Sequence, residues 1–162
     1  MAGEKYESAR RYLRMNTVIG VIGGRKTDKA LLKEAEEVGR LIAQKGATLV
    51  CGGLGGIMEA ASRGAKAGGG ITVGILPQND AKKANQFIDI PIVTGFGIGR
   101  NVIIARTADA LIAVGGAYGT LSEIAFALQM GKPVAGIGTW DIKGIMPAEN
   151  AEDAISKVFS LI

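Results

Sequence analysis

Residues 115–123 read GGAYGTLSE and follow directly on the apolar run ADALIAV (108–114). Glycine permits φ > 0 and lets backbone approach a bound group closely. A helix starting here has unpaired N–H groups and a partial positive charge at its first turn, which suits a phosphate. Thr120 adds a hydroxyl donor. Glu123 falls one turn into the helix, where an acid is equally explained as a favourable charge near a helix N-terminus. Arg100, in GFGIGRN (95–101), is a permanent cation and cannot serve as a general base. It suits an anion clamp or a charge-assisted pair with Glu123. A solvated surface arginine would look the same in sequence.

The glycine pattern recurs. Gly23-Gly24, Gly52-Gly53, Gly55-Gly56, the alternating Gly95, Gly97 and Gly99, and Gly115, Gly116 and Gly119 all follow strand-like segments. One such loop is as well explained as a tight connector. Several on one edge point to a shared anion pocket. None reads G-x-G-x-x-G after the first strand, and none reads G-x-x-x-x-G-K-[ST]. Hydride and phosphoryl transfer therefore lose support.

Composition narrows the chemistry further. The 162 residues contain no histidine and one cysteine, Cys51. That removes imidazole bases, His-ligated metals, disulfides and Cys-rich metal sites, so no metal site is expected. Cys51 reads as a small buried hydrophobe, since no suitable base is evident. A net charge of +4 suits an anionic small molecule, and with 5% aromatics nucleic acid is not the expected partner. No apolar run approaches the ~20 residues of a membrane span. The first residues lack the apolar core of a secretory signal, so a cytoplasmic location is expected.

The elements that position these residues alternate between strand-like and helix-like. Strands are expected at 17–23, 47–51, 70–77, 88–93, 108–114 and, as the last, 133–138. Pro91 marks 88–93 as a short or edge strand. Residues 27–45 place Leu31, Ala35, Val38, Leu41 and Ile42 on one helical face, and Gly46 stops that helix. Further helices are expected from Ile57, from Arg100, from Leu121 and over 150–162. Trp140 reads as packing against the closing helix, with cover over a pocket as the alternative. The strands are uniformly apolar, the pattern of a parallel sheet covered on both faces. This predicts a doubly wound, Rossmann-like α/β domain over 16–162, with ligand outside the carboxyl ends of the strands. Residues 1–15 read as a helical extension carrying Tyr6, Ala9 and Leu13.

The ordered set CGGLGGIME (51–59), GFGIGRNVIIARTADALIAVGGAYGTLSE (95–123) and MGKPV (130–134) resembles the LONELY GUY family. Those proteins are phosphoribohydrolases acting on nucleoside 5′-monophosphates and are often labelled lysine decarboxylases. DIPIVTGFGIGRN (89–101) more closely resembles a neighbouring branch, similar to molybdenum-cofactor carrier proteins. The resemblance implies that Gly116–Thr120 wrap a 5′-phosphate. It implies that Glu123 meets ribose hydroxyls or stabilises an oxocarbenium-like transition state, with Arg100 as its catalytic partner. The ligand-binding set it implies is Gly23, Gly24, Gly52, Gly53, Met58, Asn101, Gly115, Gly116, Ala117, Tyr118, Gly119 and Thr120. Met58 suits core packing better than a contact to the base.

Two departures stand out. The family's P-G-G becomes Gly115-Gly116-Ala117, where a Cβ costs roughly 1 kcal/mol or more if position 117 needs φ > 0. Its R-K pair becomes Arg100-Asn101, which removes a cation. Arg100 and Glu123 favour a hydrolase releasing free base and ribose 5-phosphate, the first reading, to which a carrier is the alternative. Asn101, Ala117 and DIPIVTGFGIG favour a carrier of a phosphorylated pterin or nucleotide. No further cofactor is implied. A homodimer or homotetramer is expected from the resemblance and from Ile103, Ile104, Ala105, Phe126, Ala127 and Leu128, which exceed a single apolar stripe.

Overall fold

The computed structural model describes residues 17–162; the expected extension over 1–15 lies outside them. Seven strands form one sheet: β1 (Val18–Gly23), β2 (Thr48–Cys51), β3 (Thr72–Leu76), β4 (Ile90–Val93), β5 (Ala110–Val114), β6 (Val134–Ile137) and β7 (Ile145–Pro147). Their order is β4-β3-β2-β1-β5-β6-β7, and every pairing is parallel. Among the described residues five α-helices accompany them: α1 (Lys29–Gln44), α2 (Ile57–Ala67), α3 (Asn101–Thr107), α4 (Tyr118–Gln129) and α5 (Ala151–Phe159). The fold is Rossmann-like α/β, as the apolar strands imply.

The strands are apolar on both faces because both are covered. Ile19, Val21, Leu49, Cys51 and Ile112 join a core with residues of α1, α2 and α5. Ile22, Val50, Ile75, Leu111 and Ala113 join a second core with residues of α3 and α4. β4 is an edge strand, which is why Pro91 is tolerated there.

Local chemistry sets the helix ends. Asp28 caps α1 by accepting from Leu31 N–H at 2.9 Å, so the helix starts two residues later than its apolar pattern suggests. Gly46 adopts φ 74° just beyond its end. Asn150 caps α5 by accepting from Asp153 N–H at 2.9 Å. α4 begins at Tyr118 rather than Leu121, since Leu121 N–H already donates to the Ala117 carbonyl at 3.0 Å.

Three expectations are corrected. The strand at 134–137 is not the last: three residues, Ile145–Pro147, add β7 at the edge, too short to leave a periodic signal. Trp140 does not pack on the closing helix. It joins the α3/α4 core, its ring lies 6.0 Å from that of Tyr118, and its Nε1–H donates to the Ala117 carbonyl at 3.2 Å. Of the helix residues taken to be surplus to one stripe, Ile104, Ala105 and Ala127 are buried within this chain, and Phe126 is 40% exposed.

Candidate functional site

The chain runs outward from β1 to β4 and then returns to place β5 on the other side of β1. That reversal opens a crevice at the carboxyl ends of β1 and β5, the position where such sheets bind ligands. A cleft of about 350 Å³ lies there, within the range of small-molecule sites. Among its lining residues are Gly23, Gly24, Met58, Arg100, Asn101, Ala117, Gly119, Thr120 and Glu123.

The loop 115–117 is shaped by glycine where glycine is required. Gly115 and Gly116 adopt φ 55° and 102°. A Cβ on Gly116 would stand 2.2 Å from Thr120 Oγ1, so the threonine side chain occupies the space glycine leaves. Ala117 has φ −117°, so its Cβ carries no left-handed penalty and the departure from the family motif leaves the loop unstrained. Gly115, Gly116, Gly52, Gly53 and Tyr118 support the cleft without lining it. Gly52 makes room for other groups: a Cβ there would lie 2.6 Å from an Arg100 guanidinium nitrogen and 2.7 Å from the Met58 sulfur.

Arg100 is only 8% exposed. Its Nε–H donates to the Ile75 carbonyl at 2.8 Å and a terminal nitrogen donates to the Gly52 carbonyl at 3.4 Å. The other terminal nitrogen donates to Asn101 Oδ1. The guanidinium is thus tied to the ends of β3 and β2, and no ion pair with Glu123 forms. Burial lowers its pKa, while the charge of Glu123 acts in the opposite direction. Asn101 bridges onward: its Nδ2 donates to Ser122 Oγ at 3.1 Å and the Gly119 carbonyl at 3.4 Å. The family's lysine position therefore holds a neutral strut between Arg100 and the first turn of α4.

Thr120 is 3% exposed and Glu123 is 6% exposed. Both line the cleft, and neither side chain makes a hydrogen bond to the described residues. Burial pushes the Glu123 carboxyl up to about 8, with Arg100 pulling it down by less. At neutral pH it is therefore mostly protonated and can donate as well as accept. Cys51 is fully buried, burial raises its thiol pKa, and it contacts Ser62 Oγ at 3.6 Å; it faces packing, not chemistry.

Sequence reasoning passed over Arg25, Pro77, Ile98 and Ser122 as site residues. Arg25 stands directly after Gly23-Gly24 on the carboxyl edge, so its position was a usable signal. Ile98 is 87% exposed at the rim, which only the folded loop reveals. Ser122 works through Asn101, and such second-neighbour contacts leave no mark in sequence. Thr120→Val is expected to weaken AMP binding about tenfold, the scale of one hydrogen bond to a charged group, and to leave adenosine binding unchanged. Calorimetric titration of both ligands checks this.

Fold and crevice together define a Rossmann-like protein with a small-molecule cleft at the topological switch point. The chain belongs to the SLOG cluster4 family, matching it over residues 16–160. It is 37% identical over 124 residues to the cytokinin riboside 5′-monophosphate phosphoribohydrolase of Mycobacterium tuberculosis, covering 70% of this chain and 66% of that protein. The molybdenum cofactor binding protein of Rippkaea orientalis superposes with a TM-score of 0.86 at 37% identity, over 90% of this chain and 97% of that one. The molybdenum cofactor carrier protein of Chlamydomonas reinhardtii superposes with a TM-score of 0.83 at 38% identity, over 90% and 98%.

Proposed function

We propose that the crevice binds a small phosphorylated ligand and that the protein carries a phosphorylated pterin without hydrolysing it. One observation carries this reading: Thr120 and Glu123 are more than nine-tenths buried, line the cleft, and have no hydrogen-bond partner among the described residues. The fully buried side-chain atom without a partner among the described residues is Gln78 Oε1, so the polar atoms of Thr120 and Glu123 are open to the cleft and available to a group that enters it. The N-terminus of α4 adds N–H groups and a positive dipole end for phosphate. A mostly neutral Glu123 suits a hydrogen bond to ligand. It suits poorly the stabilisation of a cationic transition state at pH 7.

Among the described residues no group of three His, Cys, Asp or Glu side chains is placed to hold a metal ion. No described helix is long and apolar enough to cross a membrane.

The hydrolase becomes the second reading. It is favoured by the electrostatic coupling of Arg100 and Glu123 at the cleft and by the likeness to phosphoribohydrolases. Incubation with purine and pyrimidine 5′-monophosphates, followed by chromatography, separates the two. The carrier releases no free base or ribose 5-phosphate, and gently purified protein retains a pterin detectable by mass spectrometry after denaturation. Steady release of base from any monophosphate would overturn the carrier.

A further inference from the structure

Arg25 is exposed at the mouth of the cleft it helps to line. Its backbone is held firmly. The Gly24 carbonyl accepts from Ile57 N–H at 3.0 Å. The carbonyl oxygens of Gly24 and Arg25 both lie 2.4 Å from where a Cβ on Gly56 would stand, so this loop is pressed against the start of α2. The guanidinium itself makes no hydrogen bond or ion pair with the described residues. Arg100 is the opposite case: all three of its nitrogens are engaged by protein oxygens.

The charge balance of the cleft follows. Two arginines line it, and the one carboxyl among its lining residues is Glu123, mostly protonated at neutral pH. Arg25 is near enough to disfavour the charged form of Arg100. Two like charges without an internal counter-charge favour an entering anion. Asn101 fills the position where the hydrolase motif has a second cation, and its side chain is committed to Arg100, Gly119 and Ser122.

We propose that Arg25 supplies that missing cation: it is the residue that selects a phosphate monoester dianion, gripping it from the β1 side while the first turn of α4 holds it from the other. This rests on the reading that the ligand is phosphorylated. An exposed guanidinium on a firmly held backbone offers the paired donors that a phosphate accepts bidentately.

Calorimetric titration of AMP, ribose 5-phosphate and adenosine against wild type, Arg25→Gln and Arg25→Lys tests it. Arg25→Gln is expected to weaken AMP and ribose 5-phosphate by roughly 10–100-fold, the scale of a charge-assisted contact, and to leave adenosine within about twofold. It should also flatten the salt dependence of AMP binding. Arg25→Lys should recover only part of the affinity, since an ammonium lacks the planar fork. AMP binding as tight in Arg25→Gln as in wild type would overturn the assignment. So would equal losses for AMP and adenosine. A wild type that does not prefer AMP to adenosine would instead remove the phosphorylated-ligand reading, and the role of Arg25 with it.

Discussion

Gly39→Val is expected to abolish folding or to lower the melting temperature by more than about 15 °C, and Gly39→Ala to lower it by roughly 5–10 °C. Gly39 of α1 and Gly64 of α2 lie at the crossing of these two helices. A Cβ on Gly39 would stand 1.9 Å from the Ala61 carbonyl oxygen and 2.9 Å from Ala65 N. A Cβ on Gly64 would stand 1.8 Å from the Glu36 carbonyl oxygen. The obstructing atoms are helix backbone, so no rotamer change relieves them. The helices must separate by roughly 1 Å, loosening Ala35, Val38, Ala60 and Ala61 in the core they share. Overpacking of this kind costs about 1–3 kcal/mol and sometimes more. The gain from replacing a mid-helix glycine with alanine is about 1 kcal/mol, so the steric term wins. Gly64→Ala should behave alike, and the double mutant should lose less than the sum, because one separation relieves both clashes. Thermal melts followed by circular dichroism check all three. A Gly39→Ala protein melting at or above wild type would show that the helices part without cost.

Glu123→Gln is expected to raise the melting temperature by roughly 10 °C at pH 9 and by almost nothing at pH 4.5. The carboxyl titrates at about 8 in the folded protein against 4.5 as the ordinary value. Below about 4.5 it is protonated both folded and unfolded and costs nothing. Between the two values only the folded state keeps the proton, so wild-type stability falls as pH rises. Above 8 both states are ionised and the loss is complete, on the order of 4 kcal/mol. Glutamine does not titrate, so its curve lacks this fall. A constant gap between the two proteins from pH 4.5 to 9 would place the carboxyl in ordinary solvent.

The same titration separates the two functional readings. A carrier whose neutral Glu123 donates to an anionic ligand binds less tightly as pH rises through about 8, and Glu123→Gln removes that decline. A hydrolase that uses the carboxylate instead gains turnover over the same range, and Glu123→Gln lowers kcat by about 10²-fold or more with little change in affinity. Measuring affinity and base release across pH 6–9 with both proteins therefore asks one residue which reading holds.

The sequence by itself determined the sheet class and the edge on which the cleft lies. Uniformly apolar strands such as ALIAV (110–114) require cover on both faces, and glycine clusters at strand ends mark where the chain turns tightly toward a helix. Those are local signals, written in neighbouring residues. It also marked Thr120 and Glu123 through their place in GGAYGTLSE. Only the tertiary structure decided what those residues face. Arg100 suited an anion clamp or a charge-assisted partner for Glu123, and the fold shows that carbonyls from the ends of two different strands, Ile75 and Gly52, hold it. Gly39 and Gly64 lie where two helix backbones meet. The three residues of β7 pair only because β6 offers an open edge. Contacts like these join positions up to 48 residues apart, as Arg100 and Gly52 are. Composition and periodicity record burial and local conformation, but which distant partner fills the space is fixed only when strand order brings the ends together.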